Sequence, residues 1–166
     1  MAVLLGIPTL ALLAVLQSTV LGTFRVLDGA PDLILLAVVA WALTGRARQS
    51  MALGLIGGVL LDLLSGTPLG ASAIGLILVA YLVSLSEGRF WEVHFLMPLA
   101  AVLGASLIYH AAALIVLVLL GRTPDWTYAF TRVVLPSTFL NLLLVLPVAQ
   151  AAESLEATLY PPEVGI

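Results

Sequence analysis

Residues 51–86 read MALGLIGGVLLDLLSGTPLGASAIGLILVAYLVSLS, and the only charge in the whole stretch is Asp62. Two apolar runs flank a Ser65-Gly66-Thr67-Pro68 stop, where glycine suits a left-handed cap and proline cannot continue a helix. The stretch reads as a helix, a tight turn and a second helix, both apolar enough for a bilayer. On the first helix Gly54, Gly58 and Asp62 recur every four residues and form one stripe, continued by Ser65 or Gly66 at the cap. Gly54-x-x-x-Gly58, widened by Gly57, lets another helix approach closely, so the stripe aims Asp62 at protein rather than lipid.

An acid at membrane depth is costly. Asp62 also lies near the C-terminal end of its helix, where the dipole disfavours a negative charge, so a compensating donor is required nearby. Ser65, Thr67, a backbone amide of the turn and a distant arginine are the candidates. Two roles compete: a proton or substrate path, and a hydrogen-bonded staple that holds the turn. A relay normally needs a second buried titratable group, and none stands at a useful spacing, which favours the staple.

Composition extends this reading to the whole chain. With 62% hydrophobic and 9% charged residues, and a mean hydropathy of +1.20, the chain lies far from the soluble range of about 25% charged. It reads as an integral membrane protein with no hydrophilic stretch long enough to fold as a soluble module. The six basic residues are all arginine, net charge is -3 and no basic patch stands out, which argues against nucleic acid as a partner. Cysteine is absent, which removes disulfides, thiolate catalysis and zinc-thiolate sites.

Gly, Pro and charges cut the chain into six apolar segments, at about 2–22, 32–44, 48–65, 70–86, 95–120 and 132–152. This predicts an all-α polytopic bundle of six helices over 1–154 and a short C-terminal tail over 155–166. The first segment has no basic region before it and no small-x-small cleavage site after it, so it reads as a retained span rather than a signal peptide. Segments two to four are short against the roughly 20 residues that cross a bilayer, and must be shielded by neighbours or by local thinning. Pro31-Asp32 opens segment two with an acid where the helix dipole favours it. Phe90, Trp91, Trp126, Tyr128 and Phe130 cluster at segment edges and read as an interfacial belt. Arginines divide evenly between the two sides, Arg46, Arg48 and Arg89 against Arg25, Arg122 and Arg132, so only the N-terminal amine tips the termini toward the cytoplasm.

Gln17, His110 and Asn141 sit within apolar segments and read as buried polar groups in interhelical hydrogen bonds. Ala100-x-x-x-Gly104 and Ala101-x-x-x-Ala105 give segment five a small-residue face. No phosphate-cradling loop with Lys, no His-Glu-x-x-His and no Gly-x-Ser-x-Gly occurs, so no catalytic constellation and no metal or cofactor site is read here. A membrane hydrolase would need a second group close to Asp62 or His110, and no spacing supplies one.

Leu-Leu-Asp-Leu-Leu-Ser-Gly-Thr-Pro-Leu-Gly over 60–70, after the glycine run and before a helix ending Ala80-Tyr81-Leu82-Val83, strongly resembles the MreD family. Leu16-Gln17, Pro31-Asp32-Leu33, and Asn141 followed by Pro147 support the match. By position Gly54, Gly58, Asp62, Ser65, Gly66, Pro68 and Gly70 carry the family motif, as a fixed turn and a close helix contact either within the chain or with a partner helix. The resemblance implies a non-catalytic, cofactor-free subunit of the bacterial cell-elongation machinery in the inner membrane. It implies binding to MreC and, through it, association with the polymerase RodA, a class B penicillin-binding protein and MreB. It also implies a bundle like the S components of energy-coupling factor transporters, cytoplasmic termini, and the Ser65–Gly70 turn on the outer side. A vitamin-binding S component is the alternative function. It would need converging polar groups, here Ser84, Ser86, Ser106, His110 and Asn141, and an Ala-x-x-x-Ala motif on the first helix that Ala11 and Ala14 do not supply.

Overall fold

The computed structural model describes residues 2–21, 23, 25–85 and 96–160; Ser86, Arg89, Phe90, Trp91, His94 and Glu163 lie outside them. The described residues form six helices. Helix α1 is Ala2–Leu16, carried on by a π-helical turn over Gln17–Leu21; α2 is Leu33–Leu43, α3 Ala47–Ser65, α4 Ala71–Ser84 and α5 Leu96–Leu119. Helix α6 is Trp126–Leu159, with a π-helical stretch at Ala129–Val134. The chain is thus an all-α membrane bundle, in which α3, α5 and α6 are long and apolar enough to cross a bilayer.

Helix α2 is the axis. Its 11 residues reach only about 16 Å at 1.5 Å per residue, half of a hydrocarbon core of about 30 Å. Ile34, Leu35, Leu36, Val38, Val39, Ala40, Trp41, Ala42 and Leu43 are all buried, so α2 meets protein on every side. It contacts each of the other five helices. These form a ring around it in the order α1, α3, α4, α5, α6, with each neighbour packed on the next. The short second segment is therefore shielded by neighbours. Helix α4 is half-shielded: Ala73, Leu76, Val79 and Ala80 face inward while Ile74, Leu78 and Tyr81 are exposed.

The most extensive contact in the ring joins α3 to α4. In a bilayer the lipid tails are as apolar as leucine, so close packing replaces hydrophobic burial as the force between helices. The glycine stripe provides that packing. A Cβ at Gly54 would lie 3.0 Å from the Leu76 carbonyl oxygen, and one at Gly58 would fall on the backbone of Ala73. Gly57 faces the other way, against Ile34 of α2. The stripe is thus filled by α4 itself. On α5, by contrast, a Cβ at Gly104 would meet nothing within 4 Å.

These two glycines make opposite predictions. Gly58→Ala should lower stability by about 1–3 kcal/mol through overpacking against backbone. Gly104→Ala should be neutral or stabilising by up to about 1 kcal/mol from helix propensity. Thermal loss of monodispersity in one detergent checks both.

A buried polar cluster at the turn end of the bundle

Helices α2, α4 and α6 all begin at one end of the bundle, here called the turn end. Each start exposes backbone N–H groups that hydrocarbon cannot satisfy, and each meets an aspartate. The Leu35 amide donates to Asp32 Oδ1 at 3.0 Å, and the Tyr128 amide donates to Asp125 Oδ1 at 3.0 Å. For α4 the acceptor comes from the preceding helix. Asp62 is only 2% exposed. Its Oδ1 accepts from the Ser72 amide at 3.0 Å and from the Thr67 hydroxyl at 2.9 Å, and its Oδ2 accepts from the Gly70 amide at 2.7 Å.

The turn is shaped to allow this. Gly66 and Gly70 take φ of 65° and 97°, a region that side-chain-bearing residues avoid. Between them Pro68 accepts from the Ala71 amide at 3.1 Å. Of the seven motif residues, Gly54 and Gly58 pack on α4, and Asp62, Gly66, Pro68 and Gly70 build the turn. Ser65 is exposed at the end of α3.

A second group centres on Asn141. Asn141 is fully buried; its Oδ1 accepts from the Asp32 amide at 2.7 Å and its Nδ2 donates to Ser106 Oγ at 3.1 Å, joining α2, α5 and α6. Ser137, one turn earlier on α6, accepts from the Ala30 amide at 3.2 Å. Gln17 is half-buried; its Oε1 accepts from the Ile34 amide at 3.3 Å, and its side chain reaches Asp32. Tyr109 connects the two groups. Its hydroxyl donates to Ser72 Oγ at 3.2 Å, and it stands within electrostatic reach of both Asp32 and Asp62.

Two placements differ from the reading of the residues alone. His110 is half-buried, and its Nδ1 lies 2.7 Å from the Ser106 carbonyl of its own helix. A carbonyl only accepts, so Nδ1 carries the proton, and that bond is intrahelical rather than interhelical. Asp32, read as an acid in a helix dipole, is itself 6% exposed and the second buried carboxylate of the cluster. The signal was Pro-Asp before a short, wholly apolar run. Ser106 was among the expected inward polar groups and is fully buried, whereas Tyr109 and Ser72 had no distinguishing spacing. What the cluster does chemically is hold helix starts: nearly every polar atom in it is engaged by another.

The fold and this cluster define a polytopic all-α membrane protein whose buried polar groups bond to helix starts and to one another. The chain belongs to the MreD family, rod shape-determining protein MreD, whose pattern it matches over residues 1–152. No solved structure matches the chain.

Removing the Asp62 carboxylate should uncover three donors, two of them backbone amides, at about 1–3 kcal/mol for each left unsatisfied. Asp62→Leu should therefore cost about 3 kcal/mol or more, and Asp62→Asn, which keeps one acceptor oxygen, about half as much. Thr138 gives the contrast, because its hydroxyl is buried with no hydrogen-bond partner. Thr138→Val should be neutral or stabilising by about 1 kcal/mol, and detergent melting curves of the three variants test the ranking.

Proposed function

We propose that this protein is a non-catalytic scaffold of the bacterial cell-elongation complex, seated in the inner membrane with both termini cytoplasmic. It binds the single membrane helix of MreC. Through MreC it positions or regulates the RodA and class B penicillin-binding protein pair, in company with MreB, and so maintains cell shape. The observation that carries this reading is the family match across residues 1–152. The engagement of Asp32, Asp62 and Asn141 in helix capping and interhelical bonds supports an assembly role for them rather than a chemical one.

The same geometry favours a scaffold over a vitamin-binding S component, although we read the six-helix bundle as S-component-like in architecture. Ser106 and Asn141 bond to each other and His110 to its own helix, which leaves them little to offer a polar ligand. For the MreC helix we assign the outer face of α5. The small residues of α3 are covered by α4, whereas Ala100 and Gly104 lie one turn apart on α5 beside an open groove shared with Val79 and Val83 of α4. Small residues let two backbones approach, which is what apolar helices need in lipid.

In mild detergent this protein should co-purify with MreC. Gly104→Leu should cut that retention by about tenfold, the effect of losing about 1.4 kcal/mol, with melting behaviour unchanged. If the parent chain fails to retain MreC while both proteins are folded, the scaffold reading is wrong.

A further inference from the structure

The ring around α2 is closed everywhere except between α6 and α1. There the two helices face each other across a groove of about 490 Å³. Ala37 and Trp41 form its floor, Pro8 and Leu13 stand on the α1 wall, and Val148 and Leu155 on the α6 wall.

The α6 wall has a break at one end and a tether at the other. Pro147 has no amide to bond the carbonyl one turn back, so the helix lacks a rung there. From Gln150 to Tyr160 no residue is fully buried, and the segment packs against the core through Leu159 and Tyr160 at its far end. At its far end Arg46, on the α2–α3 corner, donates to Glu156 Oε1 through Nε at 3.1 Å and Nη2 at 2.6 Å. The same guanidinium stacks 3.3 Å from the centre of the Tyr160 ring. Gln49 Nε2 donates to the Tyr160 hydroxyl at 3.0 Å while Gln49 Oε1 accepts from Trp41 Nε1 at 3.2 Å. The tether thus ends on the floor of the groove.

We propose that residues 150–160 are a flap hinged by the break at Pro147, and that the Arg46–Glu156–Tyr160 latch holds it and so sets the width of the α1–α6 groove. With 34 residues, α6 spans about 51 Å, well beyond a hydrocarbon core of about 30 Å, so its end reaches the aqueous interface. The latch side chains are 26% and 28% exposed. Dissolved salt therefore screens the pair, and ionic conditions at the membrane surface alter a groove that opens onto the bilayer. This surface is separate from the α5 face assigned to MreC, and the device does not depend on that assignment.

The chain contains no cysteine, so paired spin labels can be placed without background. Leu12→Cys with Ala157→Cys puts labels on exposed positions of the two walls; Leu12→Cys with Leu55→Cys, on the packed α1–α3 pair, is the control. Pulsed dipolar spectroscopy in nanodiscs should give a narrow distance across the groove. Adding Glu156→Gln and Tyr160→Leu should shift that peak to longer distance and broaden it, with the control pair unchanged. Raising salt on the unsubstituted latch should produce the same shift in smaller measure. An unchanged cross-groove distance in both arms overturns the latch. Broadening that persists in full after Pro147→Ala is added overturns the hinge.

Discussion

The Asp62 carboxylate holds the α3–α4 turn together, and much of the bundle depends on it. In hydrocarbon a backbone amide without an acceptor has no water to turn to. The first amides of α4 find theirs on the preceding helix, at Asp62. That fixes where α4 starts, and so which of its residues meet the glycine stripe of α3. Ser72, set by the same bond, then receives Tyr109 of α5. Helix α5 in turn reaches α6 through Ser106 and Asn141, and Asn141 reaches the start of α2. A chain of short polar contacts thus runs through five of the six helices, where hydrophobic burial alone gives no preferred partner.

Much of this was legible in the residues. Gly, Pro and charge punctuation located all six helices, because breakers act locally whatever the surroundings. The four-residue glycine spacing pointed Asp62 at protein, and Thr67 was among its expected donors. The rest was hidden for physical reasons. Leu33–Leu43 is apolar all round, and so is a lipid-exposed span, so its place on the bundle axis left no mark in its composition. The partners of Asn141 lie 35 and 109 residues away, on other helices. Helix α6 was expected over about 132–152 but runs from Trp126 to Leu159. Asp125 caps it early, and near its end Arg46 pairs with Glu156.

The second buried carboxylate matters for function. A lone intramembrane acid is read first as a possible carrier of protons, and two near one tyrosine strengthen that suspicion. The hydrogen bonds support a structural reading. Asp32 and Asp62 each accept from backbone at a helix start, which is the work of a cap, and membership of the MreD family gives a role in rod shape determination. Polar groups that hold the bundle at the turn end leave the lateral faces to differ in character: a small-residue notch on α5, and a latched groove between α1 and α6.

Whether Asp62 acts through the fold is decided by expressing Asp62→Asn, Asp62→Glu and Asp62→Leu in rod-shaped cells that lack their own MreD, and measuring for each both folded protein in the membrane and cell width. Restored rod shape should follow the folded amount along one curve for all three. An Asp62→Asn protein that accumulates and folds like the parent while the cells stay round would show a role for the charge beyond the fold.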